Sequence, residues 1–523
     1  MDASTVVVLI SVSVSTIALW SLVSFLYRTW WVPNRTKQKM QSQGINGPPY
    51  SFPHGNSKEV FRMKMEALSK PLDHLSHRIL PRVQPHLQDW IQHYGKCVLT
   101  WAGPIPELIV AETELAKEIL QNRDKTFLKL KMDGLMKRLL GNGVFTSEGE
   151  RWVKKRNLIN QAFSPQSLKK MVPVMADSVG VMLERWKRHD HNLEIEVYEE
   201  FRLLTSDVIS RTAFGSNYEQ GKNIFEMINK LSLSAGAQPT YSLWLPPFLG
   251  KLIKKSKQEI EADKLEQSME ASILLMIKNR EEKEEHDDGH AMDLLSLLVR
   301  AMKCEDSSIN GDISLKDIVD ECKTFYFAGQ HTTTSLLSWV VFLLAIHQEW
   351  QEKARNEVLM LFGKDPPNAD NLSKMKTMSM IINETLRLYP VSDVLVRQIE
   401  KDVRLGNNLI IPGKPKVTIQ LQLLAMHHDP ETWGEDVYKF KPERFEEGAA
   451  QVKKENEALG FMPFGFGPRI CLGMNFALNE MKIAISMILQ QYAFSLSPSY
   501  VHAPMRKLVI CPQHGIQVLL HPL

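Results

Sequence analysis

Cys471 is the residue in this chain whose surroundings most constrain its chemistry. It lies in Phe464-Gly-Phe-Gly-Pro-Arg-Ile-Cys-Leu-Gly473, between glycines, with an arginine two residues before it and an aromatic ring seven before. Helix-compatible sequence, Met474-Asn-Phe-Ala-Leu-Asn-Glu-Met-Lys482, follows directly. A cysteine at the mouth of a helix faces free backbone N–H groups and the positive end of the dipole, and both favour thiolate over thiol. A thiolate held in a glycine loop can bind a soft or borderline metal through a single protein bond. The five cysteines (97, 304, 322, 471 and 511) are scattered and no CxxC partner lies near Cys471, which argues against a tetrahedral zinc site. A nucleophilic role would need a base, and the sequence alone leaves that open. For the other four cysteines the role of a buried small hydrophobe suffices.

Three further constellations could carry chemistry. Trp152 and Arg156, in Glu150-Arg-Trp-Val-Lys-Lys-Arg-Asn157, are four apart and share a helix face; the plain alternative is a half-buried tryptophan beside a solvated arginine. Ala328-Gly-Gln-His-Thr-Thr-Thr334 falls in the middle of a long helical stretch. Ala328 and Gly329 remove side-chain bulk and hydroxyls follow, so a packed helix can kink locally and hold a polar notch. Alone this pattern is weak, because threonines often bond back to the preceding turn. Glu384 and Arg387 stand at i, i+3 in an apolar helix, with Arg444 downstream in Pro442-Glu-Arg-Phe445. Most pairs of that kind are exposed and contribute little.

Phe464, Gly467, Arg469, Cys471 and Gly473 match, position by position, the haem-binding signature of the cytochrome P450 superfamily. The chain resembles that family from its N-terminal apolar run to its last strand, with the expected motifs in order. The resemblance implies heme b (iron protoporphyrin IX) with Cys471 as axial thiolate, a ligand that pushes electron density toward O–O cleavage. It places Phe464, Arg469 and Gly473 around the cofactor. It assigns Trp152 and Arg156 to one haem propionate, since indole N–H and guanidinium are donors suited to a carboxylate, and Arg397 to the second. Ala328 and Gly329 resemble the family's oxygen groove, and Thr332 falls on the threonine that hydrogen-bonds the oxygen being activated. The family usually has Asp or Glu just before that threonine; this chain has His331. Imidazole can also relay protons, with an unperturbed pKa of about 6.5. Glu384, Arg387 and Arg444 correspond to a buried structural network. Phe325, Phe327, Ala328, Val391, Val394, Leu395 and His514 are expected at the pocket wall.

The implied activity is that of a membrane-bound haem-thiolate monooxygenase. It would hydroxylate an apolar small molecule (terpenoid, steroid-like or hormone-related) with O2 and electrons from NADPH, delivered by NADPH-cytochrome P450 reductase. Lys154 and Lys155 are candidates for meeting an acidic reductase surface. The linker from Gly44 to Asn56 (GINGPPYSFPHGN) and the stretch from Cys471 to Lys482 (CLGMNFALNEMK) look most like a plant microsomal clan that oxidises isoprenoid-derived hormones and triterpenoids. Two readings from other classes stand beside this one. The first is a haem-thiolate isomerase or dehydratase acting on a hydroperoxide without a reductase, which His331 keeps in view and an intact Thr332 opposes. The second is a catalytically silent, membrane-anchored haem binder.

The elements that must position these residues are legible in outline. The expected fold is mainly α, a cytochrome P450 fold with a large helical part, small β-sheets and one N-terminal transmembrane helix. Thr5 to Tyr27 carries no charge and is long enough, at about 1.5 Å per residue, to cross a bilayer core. Asp2 precedes it; Trp30 and Trp31 follow, then Arg35, Lys37 and Lys39. The positive-inside tendency leaves the rest of the chain in the cytosol, and the resemblance implies a single-pass endoplasmic reticulum protein. The expected organisation is an anchor over 1–31, a basic Pro/Gly-rich linker over 32–55 and a catalytic domain over 56–523. Of 523 residues, 44% are hydrophobic and 24% charged, enough for a large core without disulfides. A net charge of +3 gives no nucleic-acid footprint.

Helices are expected over 60–94, over 175–235 with Asp207 to Phe214 in the core, and from a Ser314 cap to Leu344. Val98 to Ala102 and Glu107 to Ala111 read as a small hairpin. Gln238 to Gly250 is an apolar, proline-rich loop that is covered or membrane-dipping, a basic amphipathic helix begins near Lys251, and Glu281 to Gly289 reads as a solvated loop. Short strands fill 394–425, a meander 429–445, and Leu508 to Leu520 reads as a hairpin whose turn reaches the pocket.

Overall fold

A 32-residue helix, Leu315–Ile346, runs through the middle of the computed structural model. The structure describes residues 2–72, 75–188, 194–216, 218–235, 256–286, 293–303, 313–406, 409–448, 453–454, 457–458 and 460–523. Ser314 starts the long helix through a capping box: its hydroxyl takes the Asp317 N–H, and the Asp317 carboxylate takes the Ser314 N–H. The helix packs against Val197–Phe214, Lys376–Leu388 and Met474–Gln491, so it is buried on almost every side. It remains helical through Ala328 and Gly329. Gly329 admits the neighbouring helix, since a Cβ there would meet the Ile209 side chain at 2.6 Å. Thr205 bonds Thr334 (2.8 Å) and Gln330 donates to Ser206 (2.6 Å), fixing the two helices in register.

The Cys97–Ala102 and Ile105–Val110 strands form the expected antiparallel hairpin. The second strand pairs in parallel with Val417–Gln422, which pairs antiparallel with Val394–Ile399, setting Arg397 opposite Ile419. This four-stranded sheet has its own apolar cluster around Leu99, Trp101, Leu108 and Ile419.

Two expectations are corrected. Leu508 to Leu520 does not fold on itself. Pro504–Arg506 pairs with Ile510–Pro512, while Gln517–Pro522 pairs with Tyr492–Leu496 and Glu194–Glu196. Ile510 commits its strand early: its N–H donates to the Val391 carbonyl (3.2 Å) and its own carbonyl accepts from Trp339 (3.1 Å). The turn toward the long helix is therefore Lys507 to Val509. The charged run at Glu281 is not a loop from its start, because helix Lys257–His286 continues through it. Gln238 to Gly250, the beginning of the basic helix near Lys251 and Cys304 lie outside the described residues.

At the N-terminus, helix Ala3–Leu26, a π-turn at Tyr27–Trp31 and helix Val32–Gln41 form one rod. The wide turn falls just ahead of Pro33, which has no N–H to continue the α pattern. The rod is long and apolar enough to cross a membrane, and its apolar window is unburied by protein. Its far end is docked: Thr29, Thr36 and Met40 are buried, Tyr50 donates to the Thr29 carbonyl, and Phe52 meets Phe25 edge-on at 6.1 Å.

Candidate active site

Backbone hydrogen bonds shape the loop before Met474–Gln491. Cys471 N–H donates to the Phe464 carbonyl (2.9 Å), Gly465 to Met462 (2.9 Å) and Ile470 to Gly467 (3.1 Å). Gly467 is required twice over: its φ is +74°, and a Cβ would meet the Leu120 carbonyl at 2.4 Å. The Cys471 side chain is exposed, although surrounded by enough protein that desolvation raises its thiol pKa. The Gly473 N–H and the Arg156 guanidinium pull the other way and are outweighed. The helix mouth thus favours the thiolate less than the sequence argument expects; a bound cation is what strips such a proton.

Beside the loop is a knot of positive charge. Arg469 pairs with Glu148 (2.7 Å), donates to the Ser147 carbonyl (2.8 Å) and lies 4.4 Å over the Trp152 ring. Arg397 is buried on the sheet's edge strand; burial, then Arg469, lowers its pKa to about 10, with Glu148 opposing. Lys129 joins them. Burial, Arg397 and Arg469 push its amine down to about 7, against Glu148. Glu148 is the one carboxylate among the described residues acting on these three cations, and Arg156 has only Cys471. The cluster carries a surplus of positive charge that the described residues do not neutralise.

Ala328 is exposed and Thr332 half-buried, one turn apart on the long helix, where most neighbours are buried. The Thr332 hydroxyl donates to the Ala328 carbonyl at 2.6 Å. His331 stands off this face, edge-on to Phe327 at 4.9 Å. Its Nε2 is buried with no hydrogen-bond partner among the described residues. Burial, then Arg202 and Lys507, lowers its pKa to about 4, so the ring is neutral at cytosolic pH.

Glu384 and Arg387 are fully buried and bond in bidentate fashion, both contacts 2.7 Å. Arg387 also donates to the Val437 (2.7 Å) and His427 (3.1 Å) carbonyls, while Glu384 accepts the Lys441 N–H (2.9 Å). Arg444 lies 3.7 Å from Glu384 and ties down the Trp433 carbonyl (3.0 Å). The meander before the cysteine loop is thereby pinned to helix Lys376–Leu388.

The sequence profile of the family described as Cytochrome P450 matches residues 79–520. The chain belongs to the cytochrome P450 family. It is similar to cytochrome P450 CYP749A22 of Panax ginseng, 48% identical over 97% of this chain and 95% of that one. Secologanin synthase 1 of Catharanthus roseus is 37% identical over 94% and 93%. The 11-oxo-beta-amyrin 30-oxidase of Glycyrrhiza uralensis is 37% identical over the whole of both chains. This P450 is therefore an oxygen-incorporating oxidoreductase of the plant type, with heme b as cofactor.

The residues fit that cofactor. A surplus of cations, Arg397 buried and Lys129, Arg156 and Arg469 half-buried, beside a lone exposed cysteine suits a metal-bearing ring with two carboxylates, and no cluster of three His, Cys, Asp or Glu offers another metal site among the described residues. Lys129 escaped the sequence reading because nothing in Leu128-Lys-Leu-Lys131 separates it from Lys131; only the fold turns it toward Arg397. Lys155 is corrected: it is buried between Asp317 and Glu321, 3.0 Å from each, and cannot meet a partner. Lys154 is exposed. Phe325 stacks on Phe163 in the core rather than at a pocket wall, and His514 is exposed in a loop.

Proposed function

We propose that this P450 is anchored by its N-terminal helix in the endoplasmic reticulum membrane with the catalytic domain in the cytosol. There it hydroxylates an apolar, terpenoid or steroid-like molecule with electrons from NADPH-cytochrome P450 reductase. The observation that carries this is the exposed Cys471 beside cations that one carboxylate, Glu148, serves among the described residues. When bound, haem supplies oxygen activation and hydrogen abstraction. Cys471 would hold its iron; Trp152, Arg156, Arg397, Arg469 and Lys129 would hold its carboxylates; Phe464 and Gly473 would frame the loop.

Thr332 would carry the reactive hydroxyl, able to release the Ala328 carbonyl and hold a proton on the exposed Ala328 turn. Ala328 and Gly329 keep that turn free of bulk. His331 would serve as a neutral relay: its unpartnered Nε2 can take up a proton while the other ring nitrogen gives one up. Burial, then Arg202 and Lys507, keeps it uncharged. The relatives named for secologanin and β-amyrin chemistry support the substrate class. The test is a panel of terpenoids and steroids supplied with reductase and NADPH. Hydroxylated product that needs both supports the reading; turnover of a hydroperoxide without reductase overturns it.

A further inference from the structure

A chain of buried aromatic rings leads away from the long helix, and the oxygen chemistry leaves it unused. Trp339 stands two turns beyond Thr332 on Leu315–Ile346, about 10 Å along the axis and on the same face, and is fully buried. Its ring stacks on Tyr389, centres 4.3 Å apart and planes at 16°. The Ile510 carbonyl accepts its N–H (3.1 Å) and is no base, so the indole keeps that proton. His502 meets both rings edge-on at 6.2 Å. Beyond it Tyr500 is half-buried between exposed Ser499 and Val501, so the chain runs from the helix core to solvent.

Each phenol in the chain has its own imidazole. The Tyr389 oxygen lies 2.8 Å from His77 Nδ1, and the Tyr500 oxygen 2.8 Å from His502 Nδ1. His502 Nε2 donates to the Ser76 carbonyl (3.2 Å), which leaves its Nδ1 to accept the Tyr500 O–H. The same Nε2 is 3.4 Å from the Tyr389 oxygen, so the Tyr389 O–H turns toward His77. Burial lowers His77 to about 3 and His502 to about 4, and it raises both phenols above their ordinary range. All four groups are therefore uncharged near neutral pH. Both phenols hold their protons, and each faces a nitrogen lone pair that can take one.

We propose that Trp339, Tyr389 and Tyr500 form a protective electron relay, which drains oxidising equivalents from the cofactor site when no substrate takes them. One electron leaves Trp339 for the oxidised cofactor. Tyr389 refills Trp339 and passes its phenolic proton to His77 Nδ1. Tyr500 then refills Tyr389 and gives its own proton to His502 Nδ1, while His77 returns the first proton to Tyr389. A small one-electron reductant in solution, of the ascorbate or thiol class, reduces Tyr500, and His502 returns its proton. Each passage moves one electron inward, and every proton ends where it began. The relay rests on the haem-thiolate reading of Cys471, and its test separates the two.

The experiment mixes the full-length, haem-loaded, substrate-free protein with a peracid and freezes it rapidly for electron paramagnetic resonance. The parent should show a tyrosyl signal that narrows when ring-deuterated tyrosine is incorporated. Tyr389→Phe keeps the stack on Trp339 and removes only the O–H, so the signal should become that of a tryptophanyl radical. A spin trap in solution should mark Tyr500 in the parent, mapped by mass spectrometry, and this adduct should fall severalfold in Tyr389→Phe and Trp339→Phe. Tyr500→Phe, near the surface, should keep the tyrosyl signal on Tyr389 while ascorbate quenches it severalfold more slowly. A Tyr500 adduct missing in the parent or undiminished in either buried variant, or an unchanged quenching rate in Tyr500→Phe, overturns the relay. Absence in the parent of the visible absorption of thiolate-ligated haem with carbon monoxide overturns the reading of Cys471 instead.

Discussion

Two arginine clusters in this protein, one fully buried and one partly buried, look alike by composition and differ in whether their charges close. Around Glu384, Arg387 has its bidentate carboxylate and three carbonyls, all internal. Around Glu148, Lys129, Arg397 and Arg469 share one carboxylate, and burial, then the neighbouring arginines, lowers the pKa of Lys129 and Arg397. The first is a strut, complete before any ligand arrives. The second is costly as it stands and becomes favourable when anions enter. Buried charge that is fully paired argues for architecture; buried charge in surplus argues for a ligand of opposite sign.

The largest effect should come from breaking the closed cluster. Arg387→Ala leaves Glu384 buried without its partner, a loss on the order of 3–5 kcal/mol. Arg387→Lys should rescue little, since a point charge cannot replace a bidentate fork and three carbonyl contacts. Thermal unfolding of the haem-loaded protein measures both, and near-parental stability in Arg387→Ala would show that the network is dispensable.

The open cluster should respond through cofactor retention. Arg397→Ala should speed haem loss to a haem-scavenging acceptor roughly tenfold or more, with smaller effects on unfolding. Lys129→Met should do less but should change the pH profile. Without haem the Lys129 amine titrates near 7; two carboxylates restore its proton, so haem binding takes up a proton above that pH. Affinity should therefore fall as pH rises past 7, and Lys129→Met should flatten this slope. An identical slope in both proteins would remove Lys129 from the site.

What was legible from sequence divides along the same line. Cys471, Arg469, Trp152 and the Glu384–Arg387 pair sit at fixed short spacings, so local pattern singled them out as candidates. The Ser314 cap was legible because capping boxes are local by nature. Lys129 and the burial of Lys155 were not, since both depend on which helix or strand comes to lie opposite. The final hairpin was misplaced because hydrogen bonds from Val391 and Trp339, over a hundred residues upstream, choose its strand.

A smaller effect concerns His331. An unperturbed histidine would titrate near cytosolic pH, but burial and the flanking cations lower this one to about 4. It is neutral throughout pH 6–8, so coupling of NADPH use to product should show no inflection there attributable to this ring. His331→Ala should raise peroxide leakage severalfold at every pH in that window. Equal coupling in the parent and His331→Ala, measured as product per NADPH, would assign His331 to helix packing.

The central claim is that Cys471 is the metal ligand, and carbon monoxide tests it most directly. The reduced parent with carbon monoxide should give the red-shifted absorption of thiolate-ligated haem. Cys471→Ser should abolish it, and replacing Cys97, Cys322 or Cys511 should leave it intact. Persistence of that band in Cys471→Ser would contradict the account.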